Sequence, residues 1–219
     1  MNTKGFRQFQ LKTMGFIAVF IGPIVLASTT LIHTLPFPSS ISETATIANR
    51  TSPILPFCLG ALALFALSYA ITYAYDRLDR VLTFCIFAGF TIVALQMSAS
   101  PYIEINNVGI LGVSEAMSGI LHNTGALVGF GAMSLWIMVC FTKSDKPRNA
   151  QAREKRVRNN LYFFFGLAMM LLLGVVILNF IGVIGDERPV VFVAEWVMLT
   201  FGGIACWIKG GLFLEDKVT

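Results

Sequence analysis

Residues 161–184 read LYFFFGLAMMLLLGVVILNFIGVI, an apolar run without a charged side chain. A helix needs about 20 such residues to cross the hydrocarbon core of a bilayer. Five further runs accompany it, and together they predict spans at residues 11–35, 53–75, 81–98, 115–141, 161–184 and 189–210. Because backbone groups inside a bilayer must pair within the segment, the runs predict an all-α, polytopic transmembrane six-helix bundle. A chain of 219 residues then has short loops and no room for a soluble domain.

The basic residues predict how this bundle is oriented. With the N-terminus in the cytoplasm, the segments on that side hold 14 of the 16 Lys and Arg residues, and only Arg50 and Arg188 lie outside. This bias follows the positive-inside rule, and an even number of spans places both termini in the cytoplasm. The predicted location is the plasma membrane in a prokaryote, and an endomembrane or the plasma membrane in a eukaryote.

The net charge of +4 is not a nucleic-acid signal, because its basic part is one predicted cytoplasmic loop, Lys143–Arg158. That loop is expected to lie against anionic lipid headgroups. A protein partner or a second copy of the chain is the alternative occupant. No nucleic-acid partner is expected.

Small residues in the spans predict packing rather than chemistry. The four cysteines all fall inside predicted spans, which favours apolar packing over disulfides or a thiolate metal site. Gly125 and Gly129 form a GxxxG pattern, which indicates close approach of two helices.

Polar side chains enter the predicted membrane mainly in its outer half. Such groups are costly at membrane depth and usually face the bundle interior, so the pattern predicts a polar pocket open to the outer side. Spacings of three and four place Glu115, Ser118 and His122 on one helical face. The alternative is that these groups only hydrogen-bond neighbouring helices together. The candidate pocket residues are Ser42, Glu43, Glu115, Ser118, His122, Asn123 and Glu195.

Two short strings resemble a known group of membrane proteins. The first is Pro38-Ser39-Ser40-Ile41-Ser42-Glu43-Thr44 after the first run, and the second is the segment SGILHNTGA at residues 118–126. The first string resembles the start of the first luminal loop in the damage-regulated autophagy modulator family, whose relatives act on GPI-anchored lipids. Both strings resemble a related bacterial family of unknown function. The resemblance implies six spans, an outward site built by Ser42, Glu43, Ser118, His122 and Asn123, and a role in organising or remodelling membrane lipid.

Three classes of function are compatible with these residues. The favoured class binds or organises lipid, or serves as an accessory subunit, and needs no cofactor or catalytic group. The second is a metal-dependent intramembrane lipid hydrolase or acyl-transfer enzyme using His122, although no HExxH or GxSxG pattern is present. The third is an electron-transfer protein in which His33 and His122 bind one haem. His33 and His122 are the only histidines, so a three-His zinc site cannot form within one chain, whereas a metal site of these two histidines and one carboxylate (Glu43, Glu115 or Glu195) can.

Overall fold

The computed structural model describes residues 3–32, 54–96, 113–143, 153–183 and 190–212. These residues form six helices and, within the described ranges, no β-strand. The helices are α1 (Thr3–Ile32), α2 (Ile54–Thr72), α3 (Arg77–Leu95), α4 (Glu115–Leu135, continued by a π-helical turn at Trp136–Cys140), α5 (Arg153–Phe180) and α6 (Val190–Lys209). The prediction of an all-helical fold is confirmed.

Four of these helices combine the length and hydropathy that a bilayer crossing requires. They are α3, α5, α6, and α4 from Ala116 through its π-helical turn. A shorter apolar helix covers Pro56–Thr72 within α2. The apolar helices identify the chain as an integral membrane protein.

Two helices begin well before their apolar runs. Helix α1 begins at Thr3 rather than Leu11, and α5 begins at Arg153 rather than Leu161. The apolar run marks only the part that suits hydrocarbon, whereas the helix continues for about two more turns through polar and basic residues. These extensions raise basic side chains above one end of the bundle.

The six helices follow one another around a closed ring. Each helix packs against its neighbours in the chain where both are described, and α1 closes the ring against α6. Because neighbours are antiparallel, α1, α3 and α5 begin at the same end of the bundle at which α2, α4 and α6 finish. Every Lys and Arg side chain that the structure describes lies at or near this end, which we call the basic end.

Glycine lets α3 and α4 approach closely. A Cβ added to Gly89 would lie 2.6 Å from the carbonyl oxygen of Gly125 and 2.6 Å from the Cα of Gly129. The GxxxG pattern therefore packs against a third glycine within the same chain, as expected for close helix packing. On the opposite side of the ring, Gly203 of α6 similarly faces Gly15 of α1, because its Cβ would lie 2.7 Å from the Gly15 carbonyl oxygen.

A row of aromatic rings fills the core near the basic end. Tyr69, Trp136, Phe141 and Tyr162 contact in sequence with centroid separations of 5.3, 4.5 and 5.3 Å, all edge to face. All four are almost fully buried. This row joins α2, α4 and α5, and it forms the floor beneath the polar groups of the basic end.

Candidate functional site

The structure brings two of the predicted pocket residues together around a third side chain. Ser118 and His122 of α4 are buried, and both contact Gln96 at the end of α3. Ser118 Oγ donates to Gln96 Oε1 at 3.2 Å, and His122 Nδ1 lies 2.7 Å from the backbone oxygen of Gln96. We call Gln96, Ser118 and His122 the outer cluster, after the predicted outer half of the membrane.

The end of α3 explains this contact. Gln96 has extended backbone angles, φ −118° and ψ 113°, so its carbonyl leaves the helical direction and can accept from a neighbouring helix. A carbonyl oxygen only accepts hydrogen bonds, so His122 carries its proton on Nδ1 here. In the uncharged imidazole, Nε2 is then an acceptor or a potential metal ligand.

No described hydrogen bond joins the other predicted pocket residues to Gln96, Ser118 or His122. Asn123 is exposed on α4, one position along the helix from His122. Glu195 is only 8% exposed and lies in the first half of α6. The predictions for Ser42, Glu43 and His33 fall outside the described residues, as does the side chain of Glu115.

The described part of the chain contains no cluster of metal-binding side chains. No group of three or more His, Cys, Asp or Glu side chains is placed to hold an ion among those residues. The two-histidine metal and haem hypotheses need His33, which lies beyond the described ranges, so both remain predictions.

A cavity of about 480 Å³ opens at the basic end, and sequence reasoning did not anticipate it. All six helix ends contribute to this basic-end cavity. Its cationic lining residues are Arg7, Lys143, Lys155 and Lys209; the rest of its lining is Tyr69, Tyr75, Asp79, Cys140 and Phe141.

Asp79 anchors the floor of the cavity. Its side chain is only 2% exposed. It accepts hydrogen bonds from Trp136 Nε1 at 2.5 Å and from the backbone N–H of Tyr75 at 2.7 Å, and Tyr69 Oη lies 3.5 Å away. A buried carboxylate needs such donors to offset its lost hydration. Asp79 thus ties α2, α3 and α4 together.

The two innermost cations, Arg7 and Lys209, are held by aromatic rings and oxygen atoms rather than by carboxylates. Arg7 Nη2 donates to Tyr69 Oη at 2.6 Å, and its guanidinium carbon lies 5.4 Å from the Tyr69 ring centroid. Lys209 Nζ donates to the Phe141 carbonyl oxygen at 2.9 Å, with the Phe141 and Tyr162 rings 5.3 and 5.7 Å away. Cation–π contacts stabilise these charges without neutralising them.

An ion pair borders the cavity. Lys143 contacts Asp76, and their side chains are 31% and 39% exposed. Asp76 also caps α3, because its Oδ1 accepts from the backbone N–H of Asp79 at 2.9 Å. The backbone hydrogen bond from Asp79, followed by the Lys143 contact, lowers the pKa of Asp76. The same Asp76 contact raises the pKa of Lys143. This pair neutralises the charge of Lys143, whereas the other three cations have no such partner among the cavity-lining carboxylates.

Sequence reasoning missed this cavity because its residues look like ordinary loop charges. Asp79 lies between Arg77 and Arg80, a pattern typical of a solvated loop. Gln10, Asp79 and Arg158 fall just outside the predicted spans, yet all three are buried near this end, as is Thr83 inside a span. The helical extensions of α1 and α5 are what bring the basic residues over the bundle.

Comparisons with protein-family models, with curated proteins and with solved structures find no match to this chain. The class of protein that the fold defines is an integral membrane helical bundle. Any more specific role has to be argued from the outer cluster, the basic-end cavity and the surface between them.

Proposed function

We propose that this chain is a six-span membrane protein, with both termini in the cytoplasm, that binds or organises membrane lipid without catalysing a reaction. The observation that carries this proposal is the division of its surface. Apolar side chains are exposed along the helices, whereas the described basic side chains gather at one end. A soluble protein rarely exposes extended apolar surface of this kind.

Helix α2 illustrates the lipid-facing surface. Phe57, Leu64 and Ile71 are 77%, 62% and 65% exposed and recur every seven residues, so they share one face. Phe164 and Leu171 repeat the pattern on α5, at 58% and 65%. Lipid tails would cover these faces, and α1 and α2 would complete the six spans alongside the four helices of sufficient apolar length.

The outer cluster supports a polar contact with lipid on the other side of the membrane. Gln96 Nε2 is buried and has no hydrogen-bond partner among the residues that the structure describes. It lies beside the buried Ser118 hydroxyl and His122 ring. A headgroup oxygen would satisfy this amide donor. The resemblance of the string around Ser42 and Glu43 to the damage-regulated autophagy modulator family supports the same role in lipid organisation.

A second candidate function is metal-dependent lipid hydrolysis or acyl transfer at His122. The observation favouring it is the contact of Nδ1 with a backbone carbonyl, because metal-binding histidines commonly donate their other ring N–H in this way. His122 Nε2 would then bind the metal, and Glu43, Glu115 or Glu195 would supply a carboxylate. This candidate requires stoichiometric metal, which lipid binding does not.

Native mass spectrometry of the protein purified in mild detergent, with metal analysis and an absorption spectrum, tests the proposal. We expect a retained lipid and no stoichiometric zinc or haem band. We also expect His122→Ala to reduce retention of that lipid at equal expression, whereas Cys85→Ala, which removes a half-buried packing residue, leaves it unchanged. Stoichiometric zinc lost in His122→Ala would replace this proposal with the hydrolase. Absence of any retained lipid would contradict lipid binding altogether.

A further inference from the structure

We infer that the basic-end cavity binds the phosphate of an anionic lipid headgroup from the cytoplasmic leaflet. This inference rests on the proposed membrane orientation and lipid-binding role, and it adds a second site, separate from the outer cluster. The ligand class follows from the charge, the donors and the position of the cavity.

The charge of the cavity favours an anion. The charged residues of its lining are four cations and one carboxylate, Asp79, and Asp76 adds a second carboxylate at the border through Lys143. An excess of positive charge therefore remains. Low-dielectric walls strengthen the field of such a cavity, and the buried Phe141 and Tyr69 rings form part of those walls.

Unused donors favour a phosphate in particular. Arg7 carries five N–H donors, of which Tyr69 Oη accepts one, from Nη2. Lys209 carries three N–H donors, of which the Phe141 carbonyl oxygen takes one. Phosphate oxygens are strong acceptors that suit both the fork of an arginine and the point charge of a lysine.

The position and size of the cavity favour a lipid headgroup over a soluble anion. It lies where all six helices finish or begin, next to the apolar spans, which is the depth of the headgroup layer in the proposed orientation. Tyr75 on its lining is 68% exposed, so the cavity is open to that layer. Its volume of about 480 Å³ falls within the usual range for small-molecule sites.

Competition between lipids in native mass spectrometry tests the site. The full-length protein is titrated with phosphatidylglycerol and, separately, with phosphatidylcholine, which shares the phosphate but carries no net charge. We expect preferential binding of phosphatidylglycerol. Lys155→Gln and Arg7→Gln should each weaken it by about tenfold or more, the scale of one charge-assisted hydrogen bond.

Arg80→Gln is the matched control, because Arg80 is an exposed basic residue at the same end that does not line the cavity. It removes the same charge and should leave phosphatidylglycerol binding unchanged. Lys155 is half-buried, so Lys155→Gln reports on binding even if loss of the Arg7–Tyr69 contact impairs folding of Arg7→Gln. Equal weakening by Arg80→Gln and Lys155→Gln would overturn the site in favour of general surface attraction.

Three further outcomes would count against the inference, and the first of them identifies the source of the anion. Displacement of phosphatidylglycerol by millimolar inorganic phosphate, with phosphate itself binding in lipid-free detergent, would overturn the lipid assignment in favour of a soluble phosphate compound. Retention of other lipids with no response to Lys155→Gln or Arg7→Gln would overturn this inference but leave the proposed function standing. If the unaltered protein bound no lipid at all, this result would instead contradict the proposed function.

Discussion

At the scale of single residues, the chemistry of this bundle depends on how buried polar groups are satisfied. Asp79 and Gln96 show two different outcomes. Asp79 receives donors from Trp136 and from the Tyr75 backbone, whereas Gln96 keeps one amide donor without a described partner. The first arrangement stabilises the fold, and the second leaves a group that a ligand can satisfy.

The Trp136–Asp79 hydrogen bond should be worth more than a neutral one. Trp136→Phe leaves a buried carboxylate short of a donor, so we expect a loss of about 2–3 kcal/mol in the free energy of unfolding. Trp207→Phe is the matched control, because Trp207 Nε1 donates to a neutral acceptor, the Lys12 carbonyl oxygen, at 3.1 Å. Its cost should be about 1 kcal/mol. Reversible unfolding in detergent measures both, and equal costs would contradict the anchoring role of Asp79.

Sequence reasoning at this scale located part of the outer cluster but not the basic-end cavity. The proximity of Ser118 and His122 could be predicted, because a helix repeats every 3.6 residues and a spacing of four places both on one face. Gln96 lies near the end of a predicted span, but its contact with Ser118 and His122 depends on how α3 ends against α4. The burial of Asp79 could not be predicted from the sequence, because it depends on a contact with Trp136, which lies 57 positions further along the chain.

At the scale of helices, apolar runs predicted the six elements and missed where two begin. An apolar run marks only the residues that suit a hydrocarbon environment. Helices α1 and α5 begin earlier and include Arg7 and Lys155, because helical backbone hydrogen bonds also form in water. Helix contacts were predicted only where small residues signalled them. The Gly125–Gly129 pattern is the example, and its partner Gly89 could not be identified from spacing alone.

Close packing of α3 against α4 makes Gly89 sensitive to a single methyl group. In Gly89→Ala the new Cβ would overlap the Gly125 backbone oxygen, and we expect a loss of about 1–3 kcal/mol as the helices separate. Gly60→Ala on α2 is the matched control, because no atom lies within 4 Å of its added Cβ. That change should be neutral or slightly stabilising, since alanine favours helix over glycine. Thermal unfolding in detergent distinguishes them, and a neutral Gly89→Ala would contradict the close approach.

At the scale of the whole molecule, the order of helices around the ring could not be read from one chain. Helices α1 and α6 lie far apart in the sequence but pack against each other, and no local sequence pattern predicts this contact. That closure brings Arg7 and Lys209 to the same cavity. The charge pattern did predict that basic residues collect on one side, because topology in membranes depends on Lys and Arg near the ends of spans.

The assignment of the basic-end cavity to lipids of the cytoplasmic leaflet depends on the basic end facing the cytoplasm, and the two ends of α5 test this directly. Glu154 is exposed near the start of this helix, and Val183 is 67% exposed just beyond its end. Glu154→Cys and Val183→Cys would be treated with a membrane-impermeant maleimide in sealed vesicles of known orientation. The unaltered chain, whose described cysteines are buried or half-buried, gives the background.

We expect label on Val183→Cys from the non-cytoplasmic side only, and on Glu154→Cys from the cytoplasmic side only. Labelling of both positions from the same side would mean that α5 does not cross the membrane. The reverse pattern would place the basic end outside, which would contradict the orientation and, with it, the assignment of the cavity to lipids of the cytoplasmic leaflet.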